Sequence, residues 1–385
     1  MRSFIKYSLT AFLLVAIAGT FAYFVRHHDG QLKPTKAGNP ISAPSLRGSN
    51  GSPVASPSNP LTDLRNQNRG HRYAPVSNPE ITIAHMQKTC ADAKDWEAAG
   101  FATMQEVRTL VQMGTNAIPA MIGALLDRSK DPTFRSLIAD ALASFNDPVV
   151  IDALKRVISD ASEPDIIRQQ AIVAVTLLGA RNAEYEIETV LQSTTNTTLR
   201  VVAMNAAGTL RYSSVVPYAT AALQDDDPSV RHSAVRALSN LEPSDIPSQD
   251  VFRLIAKEHG SRKVAENDSA EVRYQATMAS ACDALGSLGN QEALQQLEIM
   301  ATDPQENRGV RKSACRNLGR IGGPSAVETL RGSLRLDDEG LRVYAADALA
   351  KLNDKGSIEE MEGAYATCKD EWAKQRISQA LERIK

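Results

Sequence analysis

The chain has 385 residues, 43 Lys+Arg against 45 Asp+Glu, a formal charge of −2, 43% hydrophobic residues, 5% aromatics and four cysteines. That apolar content at near-zero charge excludes wholesale disorder and a histone-like polycation, and so few cysteines over this length exclude a small disulfide-stapled fold. The charge is unevenly spread: residues 1–80 carry nine Lys/Arg and three acids, and residues 81–385 carry 34 and 42, so a basic arm precedes an acidic body for which no nucleic-acid partner is expected.

Residues Leu9 to Val25 form an uncharged, almost wholly apolar run of 17, preceded by Arg2 and Lys6 and closed by Arg26-His27-His28. The run sits at the lower limit for spanning a bilayer, and Phe21, Tyr23 and Phe24 suit an aromatic belt at the far interface. Residues 1–25 are therefore expected to be a signal anchor. The small-residue stretches Ala16-Ile17-Ala18 and Thr20-Phe21-Ala22 leave cleavage and secretion as the alternative. Cations flank the run on both sides, so the positive-inside rule sets little preference, and a short amino-terminal leader with the body outside is the default orientation.

Residues 26–80 are rich in Pro, Ser, Asn and Gly, with eight prolines and no sustained periodicity. Such a segment lacks the apolar area to offset its ordering entropy and is expected to be a disordered spacer.

The body, residues 81–385, repeats a short pattern: Arg, Ala three later, a small residue six later and a large apolar residue ten later. The copies start at Arg135 (RSLIADALASF), Arg168 (RQQAIVAVTLL), Arg200 (RVVAMNAAGTL), Arg231 (RHSAVRALSNL), Arg273 (RYQATMASACD), Arg311 (RKSACRNLGRI) and Arg342 (RVYAADALAKL), with a weaker copy at Lys374. The intervals are 33, 32, 31, 42, 38 and 31. Positions 3, 6, 7 and 10 after the Arg fall on one face at 100° per residue, so each copy predicts a helix with one buried stripe.

Between the copies lie further apolar-periodic segments, Ala117–Leu126, Val149–Ile158, Val215–Leu223, Ala293–Met300 and Ala326–Leu334. Each unit therefore predicts a helical hairpin. Asp131-Pro132 and Asp227-Pro228 supply an Asp N-cap followed by Pro at the first helical position. The Arg four residues after that Asp suggests an i,i+4 ion pair, a structural rather than catalytic role. Gly179, Gly289 and Gly322-Gly323-Pro324 mark turns.

Helix pairs of 31–33 residues with Asp-Pro, Arg and an Ala-rich stripe resemble HEAT repeats, particularly the short bacterial type of the phycobilisome lyases. The resemblance covers about residues 96–385. It implies an all-α fold, a right-handed α-α superhelix of stacked hairpins with the second helices lining the concave side, and mostly scaffold or binding-platform roles. Caps are expected at about 81–116, with Trp96, Phe101, Leu110 and Met113, and at 357–385, with Trp372, Ile377 and Ile384.

If positions 3, 6, 7 and 10 are core, positions 1, 5, 8 and 9 face outwards. In mid-array these give Val201 and Asn205, His232 and Arg236, Tyr274 and Met278, Lys312 and Arg316. His232, Arg236, Tyr274, Lys312 and Arg316 form the candidate concave binding patch, since Arg and Tyr contribute most at interfaces. The interval of 42 is read as a loop insertion, 257–268, carrying His259, Arg262 and Lys263; the interval of 38 adds a lengthened helix and loop through Asp303–Arg308.

No HExxH, Cys/His cluster, Walker loop, GxSxG or GxGxxG occurs, so no metal, cofactor or catalytic residue is expected. Together these features predict a non-catalytic, membrane-tethered scaffold for another protein, on the extracytoplasmic side of a bacterial inner membrane. The alternatives are a lyase-like enzyme with its site in the groove and a receptor for a glycan or polyanion using Arg236, Lys312 and Arg316.

Overall fold

The computed structural model describes residues 78–262 and 268–385. The expected leader at 9–25, nearly all of the 26–80 spacer and Lys263 lie outside the described residues. Within them every regular element is a helix, and no single helix is long and apolar enough to cross a membrane. The described chain divides into two compact units, separated in sequence between Phe145 and Asn146.

The first unit contains α1 (Pro79–Ala91), α2 (Trp96–Ala102), α3 (Met104–Gln112), α4 (Ile118–Leu126) and α5 (Pro132–Leu142). Helix α1 packs on each of the other four, and Met86, Leu110, Met121, Leu125 and Phe134 are fully buried. Asp131 Oδ1 accepts from Thr133 N at 2.8 Å and Phe134 N at 3.1 Å, satisfying two amides that have no partner inside α5. The expected amino-terminal cap is realised only in part. Trp96 is half-buried and its indole N–H donates to Ser136 Oγ at 2.9 Å. Phe101 is 66% exposed, because the buried residue of the short helix α2 is Ala99 and two residues further on the helix has turned to its opposite side.

The second unit is a stack of seven hairpins: α6 (Pro148–Ser159) with α7 (Asp165–Leu177), α8 (Glu184–Ser193) with α9 (Thr197–Leu210), α10 (Val216–Ala222) with α11 (Pro228–Ser239), α12 (Ser248–Arg262) with α13 (Asp268–Leu288), α14 (Gln291–Thr302) with α15 (Arg308–Ile321), α16 (Pro324–Leu334) with α17 (Glu339–Lys351), and α18 (Ile358–Thr367) with α19 (Glu371–Ile384). The second helices α7, α9, α11, α13, α15, α17 and α19 pack each on the next in unbroken order, and each packs on its own hairpin partner. The predicted stripe is the core. Ala234, Ala237, Leu238 and Leu241 are buried, as are Ile377, Ala380, Leu381 and Ile384 at the weaker last copy.

Small residues set how closely the second helices approach. A Cβ built on Gly208 would lie 2.4 Å from the Cα of Ala237, and one on Gly319 would lie 2.5 Å from the Cβ of Ala348. Gly332, on an exposed helix face, has nothing within 4 Å. Alanine therefore has opposite effects at the two kinds of site. Gly332→Ala is expected to stabilise by up to ~1 kcal/mol through helix propensity, while at Gly208 overpacking against backbone outweighs that gain and leaves a net loss of ~1–2 kcal/mol. Urea denaturation of the two variants checks the signs.

The repeating Arg has the structural role expected of it, but its partner is mostly not the Asp that the spacing suggested. At four of the seven copies it reaches back to the last turn of the preceding helix or to the turn that follows it, while Arg200 and Arg231 pair with Asp225 and Glu258 instead. The Nε of Arg135 donates to Leu125 O at 2.7 Å, of Arg168 to Ile158 O at 3.1 Å, of Arg311 to Ala301 O at 3.1 Å and of Arg342 to Leu336 O at 2.6 Å. The Asp carboxylates are taken up by N-capping, and a buried cation at a helix C-terminus meets both an unbonded carbonyl and the negative end of the helix dipole. Arg135, Arg168, Arg231 and Arg342 are buried.

At the fifth copy the register slips by one residue. Arg273 is exposed, and the four positions expected to be core, Ala276, Ala279, Ser280 and Asp283, are only half-buried. Tyr274, Thr277, Met278 and Ala281 are buried instead. Tyr274 and Met278, read as outward-facing, thus point into the stack, and Tyr274 takes the column that Arg holds elsewhere.

The insertion read as a loop over 257–268 is helical where it is described: residues 257–262 extend α12, and α13 begins at Asp268. At the carboxyl end, Ile377 and Ile384 are core as expected, but Trp372 is 55% exposed.

Candidate functional site

The five patch residues and two of the three insertion residues separate into three groups. The first forms around Glu306, in the turn between α14 and α15, whose side chain is 2% exposed. His259 Nε2 donates to Glu306 Oε2 at 2.8 Å, Arg262 to Oε1 at 3.1 Å, the Tyr274 hydroxyl to the carboxylate at 2.9 Å and the Asn307 amide to Oε1 at 2.6 Å. Arg262 also pairs with Glu271 at 3.1 Å and lies 4.7 Å from the centre of the Tyr274 ring. Burial raises the Glu306 pKa, but the hydrogen bonds from His259, Asn307 and Tyr274 outweigh it and hold the carboxyl below the usual range. Burial, then the Glu306 charge, push the Tyr274 hydroxyl above its usual range. Every lone pair of Glu306 is engaged, so the arrangement is a lock between α12, α13 and the 303–307 turn.

The second group, His232 and Arg236 on α11, is half-buried rather than outward-facing. Burial, with Arg236 adding to it, pushes the His232 pKa down to about 4, so the ring is neutral at physiological pH.

The third group lies further along. Lys312 is half-buried on α15, with its Nζ close over Gly340 at the start of α17. One turn on, Arg316 pairs with Asp283 at 2.7 Å and opens into a cleft of about 410 Å³ walled by α15, α17 and α19. Tyr344, Asp347 and Lys351 of α17 line it, with Trp372, Arg376 and Arg383 of α19. Asp347 accepts from Arg376 at 2.5 Å and also from Arg383. The outward-position rule, carried into the next two copies, gives Asp347 and Lys351 after Arg342 and Arg383 after Lys374. That signal was present in the sequence; the folding-over of Trp372 and Arg376 onto the same cleft was not.

Cys90, Cys282, Cys315 and Cys368 are buried thiols, and burial raises the pKa of Cys90 and Cys315 to about 11 and that of Cys282 well above its usual value, which keeps those three protonated. Among the described residues no group of three or more His, Cys, Asp or Glu side chains converges as metal ligands would.

A family model for HEAT repeats matches residues 104–176, 186–260 and 305–382. No curated protein matches the sequence. Of solved structures, an engineered protein shares 18% identity over 85% of this chain and 92% of its own, with a TM-score of 0.43. The E. coli protein YibA shares 14% over 86% and 98%, TM-score 0.43. The CpcE–CpcF complex of phycocyanin lyase from Nostoc sp. shares 14% over 82% and 97%, TM-score 0.35. Likeness at this level carries no activity across.

Proposed function

The chain belongs to the HEAT-repeat family, and on that premise we propose that it is a non-catalytic, membrane-tethered scaffold that holds another protein on the face formed by its second helices. In this reading the hairpins of 146–385 wind as a right-handed superhelix with that face concave. Residues 9–25 anchor the chain and residues 26–80 carry the body away from an inner membrane on its extracytoplasmic side. The observation that supports the scaffold reading most is the cleft between α15, α17 and α19, where four cations gather on a body that is otherwise acidic. Interfaces favour Arg, Tyr and Trp, and all three residue types are present there.

Proximity labelling by the full-length chain, followed by binding of each labelled protein to the purified chain, tests this. At least one partner is expected to bind directly and to be weakened by Arg316→Glu. Partners that respond only to changes on the first helices would overturn the reading, and recovery of the chain in the soluble fraction would remove the tether.

The enzymatic alternative calls for a buried convergence of titratable groups. Glu306, His259 and Tyr274 form one, but with its carboxylate saturated and held ionised, Glu306 neither accepts nor releases a proton easily near neutrality.

A further inference from the structure

We propose that the cleft between α15, α17 and α19 takes an acidic peptide segment of the partner, one that presents carboxylates beside a large apolar side chain. This rests on the scaffold reading and gives it a ligand chemistry. Four cations, Arg316, Lys351, Arg376 and Arg383, line the cleft with one acid, Asp347, and Asp283 pairs with Arg316 from beside it, so the cations still outnumber the acids by two. The side chains of the three arginines are 45%, 42% and 48% exposed, so their guanidinium groups keep donors free towards solvent. Asp347 bonds Arg376 and Arg383 together. Those two lie seven residues apart on one face of α19, and the shared acid holds their planar forks side by side before any ligand arrives, which lowers the ordering cost of bidentate carboxylate binding.

The apolar half of the requirement comes from Trp372 and Tyr344. Trp372 is the last helix's large aromatic, left 55% exposed on the rim of the same cleft. An indole beside guanidinium groups is the pairing that concentrates binding energy at protein interfaces. The volume, about 410 Å³, is that of a small-ligand pocket and suits a few side chains of an extended segment rather than a folded domain.

Charge selects the occupant. The chain's own arm, residues 1–80, carries nine Lys/Arg and three acids, so it is repelled from a cationic cleft. Spaced carboxylates can address the outer donors and leave Asp347 in its bridge, and a nucleic-acid backbone, the competing polyanion, is an arm of the test.

The test uses the full-length chain and fluorescence anisotropy with a labelled peptide of alternating Glu and Leu. Two analogues replace Glu by Gln or Leu by Ser, and a single-stranded DNA oligonucleotide forms a separate arm. The Glu-Leu peptide is expected to bind with an affinity that falls as salt rises. The Gln analogue is expected to bind at least about tenfold more weakly and the Ser analogue several-fold more weakly. Lys351→Glu and Trp372→Ala, both at exposed positions, are each expected to weaken binding while the circular dichroism spectrum stays unchanged. Equal binding of the Gln analogue, tighter binding of DNA, or wild-type affinity in both variants would overturn the proposal. If a labelled partner still binds the second-helix face while the peptide does not, the acidic-peptide assignment fails and the scaffold reading stands.

Discussion

Arg231→Met is expected to cost the 146–385 unit about 3–5 kcal/mol, because it removes one member of a buried ion pair and leaves the other charged and without its cation. Arg231 Nε lies 2.6 Å from Glu258 Oε1, and the two side chains are 6% and 5% exposed. Arg231 also donates to the carbonyls of Asp225 and Asp226 at 2.8 and 2.9 Å, in a turn that water reaches and can solvate in its absence. The main loss is therefore stranded charge on Glu258. It follows that Arg231→Met combined with Glu258→Leu should recover most of the stability, since replacing a whole buried pair by apolar side chains is often close to neutral. Urea denaturation of the two single variants and the double variant closes the cycle. A single-variant cost under ~1 kcal/mol, the level of an exposed pair, would show that the guanidinium is solvated rather than locked.

That pair also shows why the repeat was legible while its chemistry was not. The spacing of Arg231, Ala234, Ala237, Leu238 and Leu241 lies within one helix, so periodicity alone places the stripe in the core, and the N-cap at Asp227 is equally local. Glu258 is 27 residues away on the next hairpin. Nothing in the spacing says that the Arg will find it, nor that at other copies the same Arg will find a carbonyl ten residues back. The slip at Arg273 has a similar origin. Arg273 and Tyr274 are adjacent, and an Arg-anchored pattern fits one residue too early. The hydroxyl of Tyr274 can fill the Arg column because the longer intervals on either side bring Glu306 within reach as its acceptor. The segment expected as a loop over 257–268 extends α12 as far as Arg262 despite Gly260, because the helix lets Glu258 pair with Arg231 and His259 and Arg262 reach Glu306, contacts that local propensity does not display. The candidate site was legible as a face, positions 1, 5, 8 and 9 after each Arg, but its cationic cleft forms where Asp347 ties two arginines of the last helix together. That is a tertiary contact which no local pattern encodes.

Glu306→Ala is the second change expected to have a large effect, about 3–5 kcal/mol, because it strands several donors at once. The Tyr274 hydroxyl is buried and has both of its contacts on this carboxylate, and the Asn307 amide loses its acceptor at 2.6 Å. Glu306→Gln keeps a carbonyl acceptor but not the charge, so its cost should fall below that of Glu306→Ala. The pH dependence follows from the direction of the shift. The folded-state pKa of Glu306 is below its ordinary value of 4.5, so the unfolded chain takes up the proton first as acid is added. The contribution of Glu306 is complete above about pH 4.5 and is lost as pH falls through the lower folded-state value. The wild-type chain should therefore lose stability steeply on the acid side, and Glu306→Gln should flatten that limb. Thermal unfolding followed by circular dichroism from pH 7 downwards reads both. The same experiment separates a structural lock from a catalytic carboxylate: strained active-site acids tend to lower stability, and their removal tends to raise it. A Glu306→Gln chain more stable than wild type at neutral pH would overturn the lock and return this carboxylate to the list of possible catalytic groups.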